Sequence, residues 1–224
     1  MADKLTLRRG DRLVLATHNA GKLAEFRELL APFGLDFVSA GELGLPEPDE
    51  TGTTFVENAR LKAHAAAKAS NNIALADDSG LSVDAIGGQP GVYTANWAGS
   101  GSGSSGGRDY MVGMRRVEDA LQAAGATTPR DRRGSFNATL CLAHPDGRDQ
   151  IYEGKAEGTL IWPPRGDKGF GFDPVFMPDG YDITFGEMTS SDKHSWSPGK
   201  VGLSHRAKAF AKFVDDVLGG GIEH

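Results

Sequence analysis

The chain has 224 residues, 39% of them hydrophobic and 24% charged, with a formal net charge of -6, enough apolar material for a sizeable core. Its one dense basic run, Arg130, Arg132 and Arg133, is broken by Asp131, which excludes a non-specific polyanion surface and a nucleic-acid partner. The single Cys141 excludes an intrachain disulfide and predicts a reducing, cytoplasmic setting, and no apolar stretch approaches the roughly 20 residues of a membrane span.

Arg12 to Thr17 (RLVLAT) reads as a buried strand, and Leu23, Phe26, Leu29, Leu30 and Phe33 then recur at helical spacing. Asn19 stands where the N-cap of that helix belongs, so the opening unit is strand, tight turn, helix. Thr54 and Glu57 form a capping-box pair ahead of an alanine-rich helix, Ala59 to Ala69, whose small side chains permit close packing on a sheet. Ile73 to Ala76 reads as a strand running into Asp77, Asp78, Ser79 and Gly80, with Leu81 to Ile86 beyond, so the acidic pair is expected at a strand end. Gly99 to Gly107 contains only glycine and serine and is expected to be a mobile loop without chemistry. Tyr110 to Ala124 reads as a helix, and Ser135 to Ala143 with Gln150 to Ile161 as a hairpin over Pro145, Asp146 and Gly147. Pro163 to Gly199 lacks periodicity. Ser204 caps a final helix with the apolar stripe Ala207, Phe210, Phe213, Val214 and Val217.

Several of these segments carry donors or carboxylates in patterns that suit phosphate chemistry. The turn Thr17-His18-Asn19-Ala20-Gly21-Lys22 offers hydroxyl, amide, backbone N–H and ammonium groups at a helix N-terminus, as a polyphosphate needs, although an ordinary capped turn uses the same residues. A carboxylate at Asp77 or Asp78 suits a magnesium ion or a proton from an attacking water; extended geometry would aim the two apart, whereas a turn would converge them. Glu47, Asp49 and Glu50 read either as further hard ligands or as a solvated acidic loop. Gly169 to Pro174 alternates small and aromatic residues and contains Asp173, a pattern that suits stacking on a base and accepting hydrogen bonds from its edge. His205 and Arg206 stand at a helix start, where cations oppose the dipole by about 0.3 to 1 kcal/mol, which favours a functional reason for them.

In this order, Thr17 to Lys22 (THNAGK), Glu50 to Phe55 with Asn58-Ala59 and Lys62-Ala63, Ala76 to Val83 (ADDSGLSV), Gly88 to Tyr93 (GQPGVY), Gly169 to Pro174 and Ser204 to Arg206 resemble the inosine triphosphate pyrophosphatase family. The resemblance covers almost the whole chain. It implies an α/β protein of one domain, 1–224, two-lobed around a long curved mixed β-sheet with the nucleotide cleft between the lobes, usually a homodimer. It also implies hydrolysis of ITP, dITP and XTP to the monophosphate and pyrophosphate with Mg2+. Carried over by position, Asp78 is the proton acceptor and a metal ligand with Glu50, with Asp49 and Asp77 as further contributors; Ser79 and Thr17, His18, Asn19, Ala20, Gly21 and Lys22 contact substrate. Phe170, Gly171, Phe172 and Asp173 line the base pocket, His205 and Arg206 read the purine 6-oxo group, and Lys193, with Lys200 as its rival, makes a further contact. The chain departs from the family pattern in the Gly99 to Gly107 run, in Asn96 where an arginine is expected, and in the longer spacing between Lys193 and His205.

Overall fold

The computed structural model describes residues 4–99 and 108–219. Strand β1 (Arg12–Leu15), buried from Leu13 onward, is followed by α1 (Ala20–Leu30), β2 (Asp36–Ser39), α2 (Phe55–Ser70) and β3 (Ile73–Val83). Asn19 caps α1 by accepting from the N–H groups of Gly21 and Lys22, and Thr54 with Glu57 closes the capping box of α2, both as the sequence predicts. The chain continues through β4 (Gln89–Pro90), α3 (Thr94–Trp97), α4 (Tyr110–Ala123), β5 (Arg133–Ala143), β6 (Asp149–Leu160) and β7 (Phe176–Pro178). It ends with α5 (Ser190–His194), the small hairpin β8 (Trp196–Ser197) and β9 (Lys200–Val201), and α6 (His205–Val217). No helix among the described residues is long and apolar enough to cross a membrane.

The main sheet runs β2-β1-β3-β5-β6-β7, parallel among the first three strands and antiparallel beyond β3, with β4 paired to the end of β3. The long strands β3, β5 and β6 carry two separate cores. At one end Leu15, Leu75, Leu140 and Leu142 pack with Phe26 of α1 and with Phe210 and Phe213 of α6. At the other, Leu81, Val83, Phe136 and Leu160 pack with Met114, Val117 and Leu121 of α4 and with Phe172, Phe176 and Phe185. Each almost fully buried phenylalanine contributes roughly 2 to 3 kcal/mol of transfer free energy. On the reverse face of the first end, alanines 59, 63, 66 and 67 of α2 lie on Ala74, Ala76 and Cys141. Two cores on one curled mixed sheet make the two lobes, and the middle of β3 lies between them.

The hairpin and the terminal helix form where the sequence places them. The stretch without periodicity, Pro163 to Gly199, contributes β7, α5 and β8, too short to leave a periodic signal. Arg132 of the basic run is buried against Glu118, and Arg133 binds Asp179, so both serve structure. Apart from Gly99, the glycine-serine run lies outside the described residues.

The acidic pair corrects one expectation. Asp77 and Asp78 do not end a strand: β3 runs unbroken from Ile73 to Val83 and pairs with β5 from Ala74 onward. Gly80, which suggests a turn, is needed instead for close approach. A Cβ there would lie 2.4 Å from the Gly91 carbonyl oxygen and 2.6 Å from Thr94 Oγ1.

Candidate active site

β1 stops opposite Leu75 and β4 begins opposite Ser82, so residues 76–81 of β3 have a sheet partner only on the β5 side. Thr94 Oγ1 accepts from the Leu81 N–H at 2.9 Å and satisfies one backbone group along this gap. A cleft of about 1000 Å3, its open mouth included, occupies the gap beside the C-terminal end of β1, where α/β sheets commonly bind ligands. Because the strand is extended, Asp77 and Ser79 face α6 while Asp78 faces α2. The gap exposes both faces to one cleft.

On the α6 side the charges pair with one another, leaving Asp77 Oδ1 buried without a partner. Asp77 Oδ2 accepts from Lys22 Nζ at 2.6 Å, Ser79 Oγ at 3.1 Å and Arg206 at 3.3 Å, and the Asp77 side chain is fully buried. Arg206, also buried, donates to Ser79 Oγ at 3.1 Å and pairs with Glu25. His194 Nε2 lies 3.5 Å from Glu25, and its Nδ1 lies 3.0 Å from Ser204 Oγ, the N-cap of α6. Burial would raise the Asp77 pKa, but the cations of Lys22 and Arg206 outweigh it and hold the group well below the usual carboxylate range. Burial also depresses Lys22 despite its contact with Asp77.

On the α2 side a single cation serves two carboxylates. Asn58, Ala59, Lys62, Ala63, Ala66 and Ala67 form the buried stripe of α2, and only Lys62 among them is charged. Its Nζ lies 2.7 Å from Glu50 Oε1 and 2.7 Å from Asp78 Oδ1, while Asp78 Oδ2 is buried without a hydrogen-bond partner. Burial raises the Asp78 pKa in spite of Lys62, which makes the carboxylate a stronger base. Among the described residues no three His, Cys, Asp or Glu side chains converge into a metal cage. Two carboxylates and an unpartnered oxygen nevertheless fit a magnesium ion, which takes only one or two protein ligands when phosphates and water complete its shell. Of the other acidic candidates, Glu47 lines the cleft, Asp49 is exposed outside it, and Asp77 already holds Lys22 and Arg206.

Thr17, Asn19 and Lys22 line the cleft, but their loop works differently from a backbone cradle. Asn19 Oδ1 already accepts from the N–H groups of Gly21 at 2.9 Å and Lys22 at 3.1 Å, and Thr17 Oγ1 from that of Asn19 at 3.1 Å. The loop therefore offers mainly side-chain donors. Ala20 and Gly21 do not line the cleft; the position of a Gly21 Cβ is 3.5 Å from the Phe170 ring. His18 turns away: its Nε2 meets the Leu45 carbonyl oxygen at 3.0 Å, and the ring borders a smaller cavity between α2 and residues 40–48.

The opposite wall holds Phe170, 38% exposed, with Gly171, Phe172 and Asp173. Phe172 is buried edge-on against Tyr110, so of the two rings only Phe170 presents an open face. Asp173 is fixed by Lys193 Nζ at 2.9 Å and by the Phe170 N–H at 3.3 Å. Lys193 is buried behind Asp173 and Lys200 is exposed on β9, so neither lines the cleft; Lys193 reaches it only through Asp173. Only glycine fits at 169, where φ is +82° and a Cβ would lie 2.1 Å from Asp173 Oδ2. His205 stacks on Phe136 at 5.1 Å and 16°, and its Nδ1 and the Arg206 Nε are buried without partners. Burial, reinforced by Arg206, keeps the His205 pKa well below its ordinary value, so the ring is neutral.

The structure adds residues to which the sequence reading gave no role: Lys62, Glu25, His194 and Arg108 all line the cleft. A signal existed for Lys62, a charge on the buried alanine stripe of α2, and for Glu25, one turn from Lys22 beside the buried Phe26. Asn96 is exposed and outside the cleft.

The sequence profile of the Ham1 family matches residues 13–216. A dITP/XTP pyrophosphatase of Mesorhizobium japonicum is 60% identical over 206 residues, 92% of each chain. Its counterpart in Brucella melitensis is 58% identical over 208 residues, 92% of this chain and 93% of its own. The solved structure of a HAM1 protein from Coxiella burnetii superposes with a TM-score of 0.78 at 34% identity, covering 92% of this chain and 97% of that one. A nucleoside-triphosphatase / dITP/XTP pyrophosphatase from Mycobacterium abscessus gives a TM-score of 0.64 at 32% identity, with coverages of 80% and 90%.

Proposed function

Since the chain belongs to the Ham1 family, we propose that it hydrolyses ITP, dITP and XTP to the monophosphate and pyrophosphate, removing them from the nucleotide pool. The observation that carries this reading is the pair of unpartnered buried nitrogens, His205 Nδ1 and Arg206 Nε, in the same cleft as the Lys62, Asp78 and Glu50 cluster. With the neutral His205 ring protonated at Nδ1, a purine 6-oxo group accepts from both nitrogens, whereas the 6-amino group of adenine leaves them unsatisfied, at a cost of about 1 to 3 kcal/mol for each.

Phe170 stacks on the base, and Asp173, held by Lys193, faces its edge. Thr17, Asn19 and Lys22 hold the triphosphate through their side chains. Asp78 takes the proton of a water attacking the α-phosphorus; the bond to the β-phosphate bridging oxygen breaks, and Lys22 offsets charge on the departing pyrophosphate. Magnesium held by Glu50 and Asp78 would supply further neutralisation of phosphate charge.

The reading extends to a cytoplasmic homodimer. Exposed Tyr93, Met111 and Val112 support association, and a lone, buried thiol at Cys141 suits a reducing compartment. Light scattering of the purified protein tests the dimer.

The deciding assay is pyrophosphate release from ITP, XTP, GTP and ATP with and without magnesium. Metal-dependent release from ITP and XTP, with ATP and GTP slow, is expected. Binding without turnover would make this a nucleotide-binding module; orthophosphate release, or a preference for pyrimidine triphosphates, would point to another phosphohydrolase.

A further inference from the structure

The two carboxylates suited to a metal already share a cation of the chain itself. Lys62 Nζ lies 2.7 Å from both Glu50 Oε1 and Asp78 Oδ1. Its side chain is 8% exposed and rises from the buried stripe of α2 beside Asn58, Ala59 and Ala63, so it is no drifting surface charge. Ordering so long a side chain has an entropic cost that its two ion pairs must outweigh. Asp77 already pairs with two other cations, Lys22 and Arg206, both at its Oδ2.

Magnesium binds carboxylate oxygen at about 2.1 Å. An ion on these two carboxylates, whether on the oxygens that Lys62 contacts or on the free Asp78 Oδ2, would lie within a few ångströms of the ammonium, a like-charge repulsion in a partly dry site. We propose that Lys62 is the resident counter-ion of the metal position: it holds Glu50 and Asp78 in the free protein, leaves them when a metal and a triphosphate arrive together, and then pairs with phosphate. The inference rests on the pyrophosphatase reading and deepens it. Weak metal binding in the absence of nucleotide follows, as does a reciprocal gain, in which the triphosphate strengthens metal binding by giving Lys62 another anion.

The test is Mn2+ binding to nucleotide-free protein, followed by electron paramagnetic resonance of the free ion, in wild type, Lys62→Met and Lys62→Arg. Lys62→Met is expected to bind Mn2+ at least about tenfold more tightly than wild type, within the usual span of coupling energies. Lys62→Arg keeps the charge and is expected to bind no more tightly. Lys62→Gln, which retains a donor for one carboxylate, replaces the methionine variant if that one does not fold. Equal Mn2+ affinity in wild type and a folded neutral variant overturns the proposal, as does tightened binding by Lys62→Arg. Wild-type turnover of ITP is measured alongside. Metal-dependent pyrophosphate release with unchanged Mn2+ affinities defeats the Lys62 assignment alone; tighter binding by the neutral variant without wild-type release keeps Lys62 as the counter-ion and defeats the enzymatic reading.

Discussion

Asp77 and Asp78 are adjacent in the chain and lie on opposite faces of one strand, with opposite electrostatic fates. On the α6 side Asp77 is buried under Lys22, Arg206 and Ser79, and Arg206 is tied on to Glu25. On the α2 side Asp78 shares Lys62 with Glu50 and keeps one oxygen without a partner. Each carboxylate keeps one buried oxygen without a partner, Oδ1 of Asp77 and Oδ2 of Asp78; they differ in their cations, two on Asp77 and, on Asp78, one that Glu50 also draws on. Two like residues one peptide apart thus meet different cations, because pleating sends each to a different helix.

The sharpest way to break this comparison is to neutralise each carboxylate in turn. Asp78→Asn is expected to lower kcat for ITP by about 10^3-fold or more, through loss of the proton acceptor and a metal ligand, with a melting temperature close to wild type. Near-normal turnover would remove Asp78 from the mechanism. Asp77→Asn is expected to act mainly on the fold, because it takes the carboxylate from Lys22 and leaves the buried Arg206 cation to Glu25, at about 3 kcal/mol. In a chain of this size that lowers the melting temperature by roughly 10 °C, read by calorimetry. If Asp77→Asn melts like wild type, the fold does not depend on it.

A pH experiment sharpens the same side. Burial pushes the His194 pKa from 6.5 down to about 4, so between these values the unfolded chain binds a proton that the native state refuses. Stability therefore falls as pH drops from 6.5 to 4 and changes no further below that through this group. Asp78 and Asp173, whose pKa values burial raises, act in the opposite sense at the acid end, so the quantity to compare is the difference between wild type and His194→Asn. The variant is expected to lose less stability over this interval, by on the order of 3 kcal/mol; parallel denaturation curves at the two pH values would refute the assignment.

His205→Phe keeps the stack on Phe136 and removes the nitrogen. It is expected to lower kcat/KM for ITP by about 10- to 100-fold while hardly changing that for ATP. An equal loss on both substrates would show that the ring only packs. The smallest effect is expected from Asn96→Arg: the residue is exposed outside the cleft, so kcat/KM should change by no more than about twofold.

Much of the site was legible because its pieces sit on strong local signals. Asn19 and Ser204 mark helix starts by their capping chemistry, and Thr17, Lys22, His205 and Arg206 lie in short motifs attached to those signals, while Phe170 stood out through the glycine-aromatic alternation of its own segment. Other assignments needed contacts between distant segments. His18 faces Leu45 and Lys193 serves Asp173, 27 and 20 residues away respectively, and no local pattern encodes either pairing. Glycine misled at position 80, since a turn glycine and a close-approach glycine read alike until Gly91 and Thr94 are seen above it.

The sequence by itself determined the elements: capping residues set where helices start, apolar period set which faces are buried, and the motif order set the family to which the chain belongs. Tertiary structure decided which cations each of two neighbouring carboxylates meets, Lys22 and Arg206 at Asp77 and Lys62 at Asp78. Strand length, the gap beside residues 76–81 and the helices above and below are set by pairing and packing across the whole chain, and these decide which charge finds which partner.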